Sequence, residues 1–231
     1  MNPYLQALNR IEFLITFACT GRCKHCSEGE HTSTGEHIEG KNASDLIHKV
    51  ASRYKIKSVM TFGGEPLLFP DEVCNIHTAA CDEKIPERQI ITNGFFSRDE
   101  LKINHIAKAL VESGVNDLLL SVDAFHQETI PLAPVMTFAK TIRALCIQRF
   151  RVHPAWLISE EADNTYNQIT HEILTKFNAI CIPTSNGNVI FPSGNALKYF
   201  VEYFDLSVPM TSEYAQNPRN IKAMGNTHKT D

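Results

Sequence analysis

Short apolar runs alternate with longer amphipathic stretches along most of the chain. Residues 11–17 (Ile-Glu-Phe-Leu-Ile-Thr-Phe) are rich in β-branched and aromatic side chains, and 58–62, 89–92, 117–122 and 151–158 share that character, so each reads as a buried strand. Helical periodicity fills the gaps. Asn42 or Ser44 is positioned to cap a helix carrying Leu46, Ile47, Val50 and Ala51 on one face, and further helices are expected over 70–81, 98–113, 134–148 and 165–177. Ile180 and Ile182 then open a sixth strand. Continuous apolar strands separated by helices bury both of their faces, which requires a parallel sheet with a helical layer. The expected fold is therefore α/β, a partial (β/α)6 TIM-like barrel, with residues 1–204 as one domain. From Asp205 onward the chain is polar, carries Pro209, Pro218 and Gly225, and lacks periodicity, so 205–231 reads as an extension ending in a loose tail.

Composition narrows the function classes. The 231 residues are 43% hydrophobic, enough for one sizeable core, and 26 acidic against 22 basic residues give a net charge of −4 without long runs of one sign. Nothing in that balance suits duplex nucleic acid or an anionic membrane. No apolar stretch approaches the roughly 18–20 residues of a membrane span, and Met1-Asn2-Pro3-Tyr4 does not start like an export signal, so a cytoplasmic protein acting on a peptide or small molecule is expected.

Seven cysteines are present, and three of them fall in Cys19-Thr-Gly-Arg-Cys23-Lys-His-Cys26. Three thiols on one short loop beyond a strand can converge on a metal centre, whereas disulfides among them would be strained. A structural zinc usually takes four protein ligands, and an ordinary ferredoxin cluster takes four cysteines. Cys74, Cys81, Cys146 and Cys181 lack the spacing to supply a fourth. His25 stands between two of the thiols and is not expected to bring its ring into the same tetrahedron. Three thiolates on an iron–sulfur cluster leave one iron open, where a cofactor can coordinate and take an electron.

The Cys-x3-Cys-x2-Cys spacing, with a ring (His25) just before the last cysteine, resembles the radical S-adenosylmethionine (SAM) superfamily. Gly63-Gly64-Glu65-Pro66, after the second strand, matches that family's Gly-Gly-Glu-Pro stretch. The resemblance implies a single 4Fe-4S cluster on Cys19, Cys23 and Cys26. It further implies SAM held at the open iron and along Gly63, Gly64, Glu65 and Pro66, with Asn93, Ser121 and Asp123 meeting its methionine or ribose part. Reduction by a flavodoxin, ferredoxin or reductase would break SAM into methionine and a 5′-deoxyadenosyl radical that abstracts a substrate hydrogen. His126, on the same rim, is the candidate for later proton transfer. Phe191-Pro-Ser-Gly-Asn-Ala196 is weakly similar to the Gly-Arg-Ala segment of peptide-modifying members, departing from it by Asn195 in place of arginine. A peptide or small metabolite is the expected substrate, with modification of a ribosomally made peptide slightly favoured. Ser121-Val-Asp-Ala-Phe125 is somewhat like the nucleotide-acting viperin group. A noncatalytic iron–sulfur or zinc module is the alternative from outside enzymology.

Overall fold

A computed structural model describes residues 8–32 and 34–204. The expected extension from 205 onward lies outside the described residues. Five parallel strands form one ladder in chain order: β1 (Arg10–Leu14), β2 (Ser58–Phe62), β3 (Glu87–Thr92), β4 (Asp117–Ser121) and β5 (Arg149–His153). Helices α1 (Gly40–Ala51), α2 (Pro70–Asp82), α3 (Glu100–Glu112) and α5 (Leu132–Ala144) return the chain between them, and the four-residue α4 (Ala124–Gln127) follows β4 directly.

The helical layer packs on one face of the sheet. Val59, Ile90, Leu118, Leu120 and Val152 pack there with Ile47, Val73, Ile76, Ile106, Leu110, Phe138 and Ile142, all essentially buried in one core. Each such aliphatic or aromatic side chain contributes about 1.5–3 kcal/mol on leaving water. The opposite phase of the strands looks into the lumen, where Glu12, Met60, Phe62, Ile91, Ser121 and His153 line a cavity. Period 2 thus divides each strand between core and chemistry.

The sixth strand differs from expectation in place and form. Ile180 and Ile182 belong to the approach; the pairing occurs at Thr184, which bridges Val152, and at β7 (Asn188–Val189), parallel to β6 (Ala155–Trp156). The partner run takes one residue more than β5–β6 between these contacts, a bulge at Gly187. Gly187 has φ 72°, and a Cβ there would lie 2.3 Å from the Pro154 carbonyl oxygen. Pro154 itself interrupts the single expected strand 151–158 into β5 and β6. Helix α6 (Thr165–Asn178) is capped by Asn164, whose side chain accepts from the Asn167 amide, and α7 (Asn195–Tyr199) ends the regular structure apart from one 3-10 turn.

At α1, the cap is not Asn42 or Ser44. The helix begins at Gly40, whose amide donates to Glu72 Oε2 of α2 at 2.6 Å. A neighbouring helix supplies the acceptor, a partner invisible to local sequence. No described helix is long and apolar enough to cross a membrane.

Candidate active site

The first strand delivers the cysteine loop to the carboxyl end of the sheet, and the second delivers the double glycine beside it. Beyond Leu14 the two loops are stitched together by backbone. The Ile15 amide donates to Phe62 O at 2.8 Å, the Gly64 amide to Thr16 O at 2.7 Å, and the Glu65 amide to Ala18 O at 2.8 Å. Thr16 Oγ1 donates to Glu36 O and accepts from the Ala18 amide, fixing the turn into Cys19. Side chains at 63 and 64 would prevent this approach: Gly63 has φ 146°, and a Cβ on Gly64 would sit 2.1 Å from Ala18 O. The glycines join the two motifs as well as line the cavity.

Cys19, Cys23 and Cys26 all line that cavity, which measures about 400 Å3, and all are free thiols. Burial pushes the Cys19 thiol up to about 11, raises Cys23 well above the usual range and raises Cys26. Yet N–H groups are already turned toward two of the sulfurs. The Gly21 amide lies 3.3 Å and Asn93 Nδ2 3.6 Å from Cys19 Sγ, and the Glu28 and Gly29 amides bond Cys26 Sγ. His31 donates through Nδ1 to Phe17 O, so its Nε2, 3.0 Å from Cys26 Sγ, accepts from that thiol. Burial favours the neutral thiols while no metal is bound, and the N–H donors on sulfur stabilise the charge of metal-bound thiolates. The donor set therefore fits an iron–sulfur cluster.

Glu65 is fully buried, and its carboxylate ties the second loop to the third: it accepts from the Leu67 amide, Thr92 Oγ1 and the Asn93 amide. Pro66 begins the short 3-10 turn that follows. Gly63, Gly64, Thr92 and Asn93 are on the cavity wall. Burial pushes the Glu65 carboxyl up to about 7 despite the three donors. Between about 4.5 and about 7 the folded protein keeps a proton that the unfolded chain releases, so this group's contribution to stability falls as pH rises through that window. A Glu65→Gln variant of the apoprotein should show a flatter dependence of Tm on pH from 5 to 8. At pH 5 its Tm should be lower, because an amide N–H replaces one acceptor. Thermal melts across that range check both.

Asp123 caps α4 by accepting from the His126 amide at 2.9 Å, and its Oδ2 accepts from His126 Nδ1 at 2.8 Å and from the Ala155 amide at 3.0 Å. Burial presses its carboxyl upward, but the ion pair and hydrogen bonds with His126, aided by His25, prevail and hold it at about 2. His126 is thereby fixed through Nδ1, with its ring on the cavity wall beside Ser121. His25 packs on Phe125 and His126 at 5.0 and 4.8 Å between ring centroids. Ligand atoms of Cys23, His25 and His126 lie within 4.8 Å of one another, a group that includes neither Cys19 nor Cys26.

One clamp comes from the far end of the chain. Asn195 Nδ2 donates to Cys23 O and Gly29 O, each at 3.1 Å, its amide donates to Cys26 O at 2.8 Å, and Lys198 pairs with Glu30. The residue that interrupts the Gly-Arg-Ala likeness thus holds the cysteine loop. An Asn195→Ala variant removes two bonds to the loop, leaving Cys23 O with the Cys26 amide alone and Gly29 O without its side-chain donor, and should cost about 2 kcal/mol. That corresponds to roughly 4–8 °C in Tm, with faster loss of iron from the reconstituted protein to a chelator. Sequence reasoning missed His31, Thr92 and Glu12; alternation in the fifth strand puts Arg151 and His153 on one face, facing either the barrel or the helices, and His153 lines the cavity.

With this geometry in place, similarity to known proteins becomes informative. The sequence model of the Radical SAM superfamily matches residues 13–147, more than half of the chain. The chain belongs to the radical SAM superfamily. Members of this superfamily are enzymes that use a 4Fe-4S cluster and SAM, in agreement with the cysteine loop. Among curated radical SAM relatives, a probable GTP 3′,8-cyclase of Methanocaldococcus jannaschii is 27% identical over 121 residues, 52% of this chain and 38% of that protein. The GTP 3′,8-cyclase of Chlorobaculum tepidum is also 27% identical, over 53% of this chain and 35% of its own. The chain thus spans less than two fifths of either relative. In fold it is similar to Streptococcus suis SuiB bound to its precursor peptide SuiA, with a TM-score of 0.56 and 12% identity over 96% of this chain and 46% of that one.

Proposed function

We propose that this chain cleaves SAM reductively at a 4Fe-4S cluster held by Cys19, Cys23 and Cys26 and removes a hydrogen atom from a peptide or small molecule in the barrel lumen. The carrying observation is the convergence, on one cavity, of the Cys19, Cys23 and Cys26 thiols, the first and last with N–H donors on sulfur, with the Gly63–Gly64 backbone. When bound, the cluster supplies one electron to the sulfonium of SAM, giving methionine and a 5′-deoxyadenosyl radical that takes the substrate hydrogen. The protein contributes position and exclusion of water. Gly63 and Gly64 offer bare backbone to the methionine end of SAM, with Glu65 and Pro66 setting that turn. Asn93, Ser121 and Asp123 line the same cavity. His126, oriented by Asp123 through Nδ1, is the group placed to carry a proton on Nε2 once the substrate has lost its hydrogen. An outside flavodoxin, ferredoxin or reductase supplies the electron.

Peptide modification is supported by the similarity in fold to SuiB and by a cavity open at its mouth beside the exposed Val189 and Phe191. The relatives named as GTP 3′,8-cyclases favour a nucleotide instead. A mononuclear metal on Cys23, His25 and His126 is a second reading, favoured by their close ligand atoms. Metal analysis after anaerobic reconstitution separates the two centres: about four irons with matching sulfide per chain support the cluster, whereas one tightly held zinc in a colourless protein overturns it.

A further inference from the structure

Besides the cysteines, the titratable side chains on the described cavity wall are carboxylates and histidines. Among the described residues, the cavity wall holds Glu12, Glu28 and Asp123 and not one lysine or arginine. The arginines of the inner strand faces are engaged below it. Arg10 donates to Gln89 Oε1 and lies 3.0 Å from Met60 Sδ, while Arg149 and Arg151 each bond the buried Asp117 at 2.9 Å. Asp123 is committed to His126 and the Ala155 amide, and Glu28 stands exposed at the rim.

Glu12 is placed differently. It is in register with Met60, two residues and roughly 7 Å along the strand below Phe62, so it underlies the level at which the cysteine and glycine loops leave the sheet. Its side chain keeps 37% exposure in the cavity wall, with Arg10 Nε on Oε1 alone. Met60, Phe62 and Ile91 make the surrounding wall apolar. A carboxylate at the base of an apolar shaft is complementary to an alkyl stem ending in a cationic nitrogen, and it repels the several charges of a phosphate chain.

Resting on the radical SAM reading above, we infer that the substrate group buried in the lumen is an alkylammonium, anchored by Glu12 with its stem along Met60 and Phe62, and that phosphorylated nucleotides are not accepted. The anchor places stem C–H bonds between the carboxylate and the SAM level, where hydrogen abstraction takes place. The ammonium is that of a lysine side chain in a peptide or of a small diamine.

Calorimetric titration of the reconstituted, SAM-loaded protein distinguishes these sources. The probes are acetyl-Ala-Lys-Ala-amide, acetyl-Ala-Glu-Ala-amide, cadaverine and GTP. Wild type should bind the lysine peptide or cadaverine at least tenfold more tightly than the glutamate peptide and GTP, and whichever amine binds identifies the source. Glu12→Gln should remove that preference, and Glu12→Lys should turn it toward the glutamate peptide. Tighter binding of GTP than of either amine, no binding of either amine, or an unchanged preference in Glu12→Gln overturns the inference. Failure of the same preparation to form 5′-deoxyadenosine from SAM and dithionite would instead overturn the reading on which it rests.

Discussion

Replacing Cys23 by alanine is expected to lower 5′-deoxyadenosine formation by at least two to three orders of magnitude. Metal bound to a set of protein thiolates contributes on the order of 10 kcal/mol, so the share of one ligand among three is roughly 3–4 kcal/mol. Cys23 is 7% exposed and lies between the other two ligands on the loop, where no other described cysteine can take its place. Losing its sulfur costs the apoprotein little more than a small buried group, about 1 kcal/mol. The expected signature is therefore an almost unchanged apoprotein melt with iron loading and SAM cleavage lost. Cys146→Ala and Cys181→Ala, at exposed cysteines, should leave both intact. Full activity in Cys23→Ala would refute the ligand assignment.

A methyl group on Gly64 should be nearly as damaging, by a different route. Its Cβ would overlap the Ala18 carbonyl carbon at 2.7 Å and its oxygen at 2.1 Å, and both atoms are backbone that no rotamer can move. Relief requires the cysteine loop to withdraw from the second strand, breaking the bonds from Gly64 N to Thr16 O and from Glu65 N to Ala18 O. Gly64→Ala should cost about 3 kcal/mol, a fall of roughly 6–12 °C in Tm. Because the loop it displaces carries all three thiols, SAM cleavage should fall even at temperatures where the variant is folded. Thermal melts and 5′-deoxyadenosine assays at 20 °C read the two effects separately.

The parallel sheet was legible because Val59, Ile90, Leu118 and Leu120 must be apolar to meet the helices, and that requirement is local and periodic. The cysteine loop was legible because its three ligands lie within eight residues of one another. What escaped depends on residues far apart in sequence. The Asn195 clamp spans 172 residues to Cys23, the α1 cap comes from Glu72, and the sixth strand is displaced by a proline and a bulge that fix its register only against β5–β6. Glu65 shows a middle case. Its position in the motif was evident, but its carboxylate serves Thr92 and Asn93, so its part in the site runs through the third strand's end.

The central claim is that the thiols of Cys19, Cys23 and Cys26 and the Gly63–Gly64 backbone together form a site where SAM is split reductively. Chromatography of an anaerobic reaction of the reconstituted protein with SAM and dithionite measures this directly. The account predicts 5′-deoxyadenosine and methionine in equal amounts, dependent on both reductant and iron. A protein carrying four irons that leaves SAM intact under every reductant would contradict it.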